Sequence, residues 1–247
     1  MVLVRARNPS NIGAVARAMH DLGFADLRIV NEYPVPFAAA KSAVDASSVL
    51  NMAREFTSVA DAVVDCTFVL GTTAVGERAL EHPLHLVCEA AGLMREAVSQ
   101  HPPGRAALLF GSEKTGLSND ELSHCHALLT IPMNERSAER HLSMNLGQAV
   151  AVCLYELVRE PSSEPVAQFT NDAGVSVPAA TSGDLERLTG LLEEVFERSG
   201  YTRRHPANAR EANIRRLVRR MALSASDAPV WTGILRQILH ALDRVQP

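Results

Sequence analysis

Up to about residue 160 the chain alternates short apolar runs with stretches whose apolar positions recur at helical spacing. Residues Val2–Val4, 27–30, 68–70, Ala106–Phe110 and 128–131 read as strands, because each is a brief, mostly apolar run bounded by polar or turn-forming residues. The segments between them read as helices; in the last, Leu146, Val150, Cys153, Leu154 and Leu157 share one face. This alternation predicts an α/β domain over 1–160 with a mainly parallel sheet, whose ligand sites lie beyond the carboxyl ends of the strands. From 161 to 182 periodicity gives way to Ser, Pro, Thr, Ala and Gly, the composition of a linker. Beyond it only helical spacing returns. Leu185, Leu188, Leu191, Leu192, Val195 and Phe196 form one stripe, and Trp231, Ile234, Leu235, Ile238, Leu239 and Leu242 another. They predict a small helical domain of about three helices over 183–247.

Composition adds bounds. A 247-residue chain that is 47% hydrophobic has ample material for a buried core. No apolar run approaches the roughly 20 residues of a membrane span, and the first residues lead into polar sequence instead of a signal-peptide core, so a cytoplasmic protein is expected. Cys66, Cys88, Cys125 and Cys153 are scattered, which argues against a disulfide framework or a zinc knuckle. The net charge of −4 conceals a basic segment: arginines stand at 198, 203, 204, 210, 215, 216, 219 and 220, against the single acid Glu211 between them. Charge distribution, more than the total, governs contact with nucleic acid.

Three loops that follow predicted strands hold the unusual chemistry. The first reads N-x-x-N-x-G-x-x-x-R from Asn8 through Asn11 and Gly13 to Arg17; a simple helix start needs one cap, not two asparagines and a glycine. The second, FGSEKTGL at 110–117, has the glycine spacing of a phosphate-binding P-loop at Gly111 and Gly116. Leu117 and Ser118 stand where that motif requires Lys and then Ser or Thr, so the P-loop reading fails. The third begins with Ile131 and Pro132 and ends in S-x-N-L at 143–146, where Ser143 is the expected cap of the following helix. Taken singly, each loop is also an ordinary strand-to-helix turn. His124, Cys125 and His126 are consecutive and cannot all face one metal from a regular element. The G-x-S-x-G of serine hydrolases and the G-x-G-x-x-G of dinucleotide-binding folds are both missing.

In this order, the three loops resemble the three motifs of the SpoU/TrmH-type RNA ribose 2′-O-methyltransferases of the SPOUT superfamily. DLERL at 184–188, HPAN at 205–208 and RRL at 215–217 look like the tRNA-specific TrmJ subgroup. The resemblance implies a deep trefoil knot formed by about 106–159, a rare exception to the avoidance of threaded loops. It implies S-adenosylmethionine as cofactor, with no metal, surrounded by Thr72, Thr73, Gly111, Ile131, Leu142 and Ser143, and with Gly111 letting the backbone approach it. Asn11 and Arg17 are catalytic by this match, with Glu113, Ser143 and Asn145 completing the site, and Arg17 serves the partner subunit of a homodimer. Because guanidinium stays protonated, Arg17 is read as the group that orients the ribose and stabilises developing negative charge. Arg203, Arg204, Arg215, Arg216, Arg219 and Arg220 are the expected RNA contacts. The expected substrate is tRNA at anticodon-loop nucleotide 32; the alternatives are the same chemistry on rRNA, or a non-catalytic RNA-binding protein of this fold. The charged stretch at 135–141 departs from the shorter loop usual in the group.

Overall fold

A computed structural model describes residues 1–31, 47–74, 80–99, 104–133, 144–159 and 178–245. Strands β1 (Val2–Val4), β2 (Arg28–Val30), β3 (Arg54–Phe56), β4 (Phe68–Thr72), β5 (Leu84–Leu86), β6 (Ala106–Phe110) and β7 (Ala127–Thr130) form one sheet in the order β3-β2-β1-β6-β4-β7-β5. Every neighbouring pair is parallel, as the alternating pattern predicts. β6 is inserted between β1 and β4, and β7 between β4 and β5. The two short edge strands β3 and β5 were not legible as apolar runs: β3 is Arg-Glu-Phe, and β5 carries a histidine between two leucines.

The central strands are buried on both faces, so their residues alternate between two cores instead of between core and solvent. Leu3, Leu70, Leu108 and Phe110 face a core shared with α1 (Pro9–Asp21), α2 (Ser47–Met52), α4 (Val87–Ser99) and α6 (Leu146–Val158). Val2, Val4, Val69, Ala107 and Leu109 face the opposite core, closed by α3 (Val59–Ala62) and α5 (Asn119–Ser123). Each fully buried Leu, Ile or Val contributes about 1.5–3 kcal/mol. α1 starts where Asn8 accepts the Ser10 N–H at 3.0 Å and Pro9 needs no N–H partner. Its closest neighbour is α6: a β-carbon on Gly147 would lie 2.6 Å from the Ala14 β-carbon.

Four helices are described after residue 178: α7 (Ser182–Arg198), α8 (Tyr201–Arg204), α9 (Glu211–Arg220) and α10 (Asp227–Val245). The helix Tyr201–Arg204 was not expected from the sequence, because one turn is too short for a periodic signal. Most of the expected linker, 161–177, lies outside the described residues. The first two residues of α7, where the linker ends, are anchored: the Ser182 N–H donates to the Cys66 carbonyl at 2.7 Å and the Gly183 N–H to the Val64 carbonyl at 3.0 Å. Among the described residues no helix is long and apolar enough to cross a membrane.

Candidate active site

Because the sheet is parallel, the carboxyl ends of the adjacent strands β6, β4 and β7 share one edge. This brings Thr72 and Thr73, the loop that starts at Gly111, and Ile131 together. The Thr72 hydroxyl donates to the Leu109 carbonyl at 2.9 Å, and the Thr73 N–H to the Leu129 carbonyl at 3.0 Å. The loop after β6 folds back on itself: Gly116, at φ 64°, donates its N–H to the Ser112 carbonyl at 2.9 Å. A β-carbon on Gly111 would sit 2.0 Å from the Gly116 carbonyl carbon. Glycine at 111 is therefore already demanded by the close approach of the loop's own backbone at Gly116 and Leu117.

A directed chain of hydrogen bonds joins all three sequence-predicted loops. The Gly147 N–H donates to Asn145 Oδ1 at 2.9 Å, which makes Asn145 the cap of α6 in place of the expected Ser143. Asn145 Nδ2 donates to Asn11 Oδ1 at 3.1 Å, and Asn11 Nδ2 donates to Glu113 Oε1 at 2.9 Å. The two amides are thus held with fixed orientation, and an exposed carboxylate stands at the end of the chain. Leu142 and Ser143 lie outside the described residues, as does the charged stretch at 135–141.

Beneath this chain lies an ion pair that sequence reasoning missed. Arg5, directly after β1, donates through Nε to Glu121 Oε1 at 2.6 Å and through Nη2 to Glu121 Oε2 at 2.8 Å and the Gly116 carbonyl at 3.0 Å. Glu121 also accepts the Ser118 N–H at 2.6 Å, closing a reciprocal cap on α5. Burial pushes the Glu121 carboxyl up, but the Arg5 and Ser118 hydrogen bonds outweigh it and hold the group below the usual carboxylate range.

The model of the SpoU rRNA Methylase family matches residues 1–155, which contain all three loops. The chain belongs to the SpoU methylase family. Its relatives include the tRNA (cytidine/uridine-2′-O-)-methyltransferase TrmJ of Yersinia pestis (strain Pestoides F), 33% identical over 96% of this chain and 90% of the relative. The TrmJ of Sodalis glossinidius (strain morsitans) is 34% identical over 97% of this chain and 91% of the relative. The crystal structure of TrmJ from Z. mobilis ZM4 superposes with a TM-score of 0.77 at 31% identity, covering 96% of this chain and 97% of that one. The match to TrmJ therefore extends through the helical segment, which lies beyond the end of the SpoU methylase model at residue 155.

In this SpoU methylase Arg17 is not joined to the amide chain. It stands six residues beyond Asn11, so it is displaced about 9 Å along α1 and points in another direction. Its side chain is 66% exposed, with Asp21 at 3.9 Å. The arginines after residue 200 divide into two sets. Arg203, Arg204 and Arg220 are exposed. Arg215 and Arg219 are buried against the SpoU methylase fold, which removes them from the expected RNA-facing group. Arg215 donates to Glu186 at 3.0 Å and to the Ser123 hydroxyl at 2.9 Å, and Arg219 to the His124 carbonyl at 3.1 Å. Arg216 is largely covered and pairs with Glu81 at 2.5 Å. What separates the two sets is helical phase: on α9 the positions 215 and 219 lie one turn apart, on the side of Ile214 and Val218.

Proposed function

We propose that the chain is an S-adenosylmethionine-dependent ribose 2′-O-methyltransferase acting on tRNA, at nucleotide 32 of the anticodon loop. The observation that carries the reading is the Asn145–Asn11–Glu113 chain, which binds three separate loops into one polar centre at the carboxyl edge of the sheet. The choice of tRNA over rRNA is supported by the named relatives, whose similarity includes the helical segment that the family model leaves out.

The residues fit the cofactor in kind. Ile131 offers partly exposed apolar surface, Thr72 and Thr73 polar groups, and Glu113 an anion suited to a cationic sulfur. When bound, S-adenosylmethionine supplies a methyl carbon made electrophilic by its sulfonium. The chain's own part is to hold a ribose in line with that carbon and to ease the loss of the 2′-OH proton. Asn11 and Asn145, locked by their mutual hydrogen bond, offer rigid amide dipoles, so little reorganisation accompanies reaction. Arg17 orients the ribose or its phosphate and stabilises charge on the attacking oxygen, while the proton passes to a substrate phosphate oxygen or to water. Its direction away from Asn11 agrees with a homodimer in which each Arg17 serves the partner's centre. The trefoil knot belongs to this reading and is assigned to about 106–159, with Leu142 and Ser143 lining the cofactor. Arg203, Arg204 and Arg220 would meet RNA phosphates, and Arg216, largely covered and paired with Glu81, would do so only after releasing that partner.

The test is to incubate the purified protein with S-adenosylmethionine and either tRNA or rRNA transcripts, and to map 2′-O-methyl groups. Methylation at tRNA nucleotide 32 is expected. Methylation confined to rRNA would overturn the substrate, and binding without methylation would overturn the enzyme.

A further inference from the structure

We propose that Arg5 is a positioning residue for this site: its pair with Glu121 sets the loop that carries Glu113 against the loop that carries Asn11. The inference rests on the methyltransferase reading for its kinetic consequence, and on the geometry alone for its structural one.

Arg5 adopts φ 57°, in the left-handed region that residues with a β-carbon seldom occupy. Its backbone is nevertheless fixed, because its N–H donates to the Val30 carbonyl of β2 at 2.8 Å. The backbone so held directs the side chain across β1 to the loop after β6. There the planar guanidinium meets both oxygens of Glu121 and the Gly116 carbonyl. A bidentate fork onto a carboxylate fixes orientation as well as distance, which a single point charge does not. Glu121 is itself rigid, since its Oε2 accepts the Ser118 N–H at the start of α5. Arg5 therefore grips the loop at Gly116 and at the helix it enters, just past the residue that bonds Asn11.

The two loops are joined twice: at the tip by the exposed Asn11–Glu113 hydrogen bond, and at the base by Arg5 and Glu121. An exposed hydrogen bond is a weak constraint alone, because water competes for both partners. The base pair is half-buried, with Arg5 30% and Glu121 13% exposed, and is correspondingly less open to water. Loss of the base should leave the protein folded and its ligands bound, while the Glu113 carboxylate and Asn11 amide drift from register. Misplacement by about 1 Å can cost on the order of 10²-fold in rate.

The experiment compares wild type with Arg5→Ala, Arg5→Lys and Glu121→Gln. It measures single-turnover methylation at saturating S-adenosylmethionine and tRNA, the Kd for each, and amide hydrogen exchange at Gly116 and Ser118. Arg5→Ala should slow methyl transfer by about 10- to 100-fold and speed exchange at both amides, with both Kd values within about 2-fold. Arg5→Lys should recover only part of the rate, because ammonium lacks the fork. Glu121→Gln keeps the shape and supplies the same test should Arg5→Ala not fold. A wild-type rate in these variants, or a rate loss matched by loss of tRNA binding, overturns the positioning role. If the wild type methylates no RNA, it is the functional reading that fails; unchanged exchange at Gly116 and Ser118 would then independently overturn the clamp.

Discussion

Arg215→Ala and Arg220→Ala should behave as opposites, although the two residues are close together in the same basic helix. The Arg215 side chain is 4% exposed and bonded to Glu186, Ser123 and Glu211, with Asp120 at 3.4 Å. On truncation, Glu211 and Asp120, 62% and 73% exposed, recover water at little cost. Glu186 and Ser123 matter more. Hydrogen bonds to a charged group are worth about 1.5–3 kcal/mol each, but Ser123 keeps its own bond to the Asp120 carbonyl at 2.6 Å, and Glu186 keeps Arg219 at 3.6 Å. A loss of about 2–4 kcal/mol follows, which for a chain of this size lowers Tm by about 4–16 °C. Arg220 is exposed, so its removal should leave Tm unchanged within about 1 °C. It should instead flatten the dependence of log K for tRNA on log salt by about 0.7–0.9, the value of one phosphate contact. Calorimetry and a salt series of tRNA titrations read both effects. An Arg215→Ala protein with unchanged Tm and a flattened salt slope would refute the division of these arginines into docking and RNA-facing sets.

Gly111→Ala should destabilise the protein toward the upper end of the about 1–3 kcal/mol range for overpacking and reduce methylation, since its β-carbon would meet the Gly116 backbone at 2.0 Å; an unchanged denaturant midpoint would contradict this. Burial first, then the Arg219 charge, depresses His126 to about 3, and its ring nitrogen accepts the Val69 N–H at 3.1 Å. A group whose folded pKa lies below its unfolded value of about 6.5 contributes stability above that pH and loses it as pH falls toward 3, by at most about 1.4 kcal/mol per unit. His126→Gln, able to accept the same N–H, should flatten the stability profile between pH 6 and 4, and an identical acid limb in both proteins would refute the assignment. Arg17→Ala should lower the single-turnover rate by on the order of 10² while Tm holds, since exposed ion pairs contribute about 0–1 kcal/mol; mixing it with Asn11→Ala should restore activity if sites are shared, and near-wild-type turnover of Arg17→Ala alone would defeat its role.

Five strands were legible because buried parallel strands are compact apolar runs, and Ala106–Phe110 was read with its observed boundaries. β3 and β5 were not, because an edge strand need not be apolar: Arg54 and Glu55 are exposed. The order in which β6 and β7 enter between earlier strands left no local trace either, since insertion depends on contacts far apart in sequence. In the site, the motif residues Asn11, Glu113 and Asn145 were recognisable, but the direction of their bonds was not. Arg5 carried no signal, as neither a left-handed backbone at a non-glycine residue nor a partner at position 121 is announced by neighbouring residues. Glu121 stands in the first turn of α5, where an acid is ordinary, and that capping position is half of its role.

The arginine run shows why residue type and density are weak guides to a nucleic-acid surface. From the sequence, an almost unopposed cluster of arginines reads as one electrostatic footprint. Folding on a helix splits it, because side chains four residues apart share a face while adjacent ones diverge. Arg215 and Arg219 fall beside Ile214 and Val218 and are carried inward, where Glu186 meets both of them. The missing signal was on another helix: Glu186 lies 29 residues before Arg215 and reads as an ordinary solvated acid of α7. With two guanidiniums committed to docking, the exposed positive charge of this segment is smaller than the sequence suggests but better fixed in space. The buried pair holds α9 against α5, whose first turn is gripped by Arg5 beneath the candidate site. Exposed arginines on α8 and α9 therefore stand at a defined distance from Asn11 and Glu113, as the proposed selection of one nucleotide in a folded RNA requires.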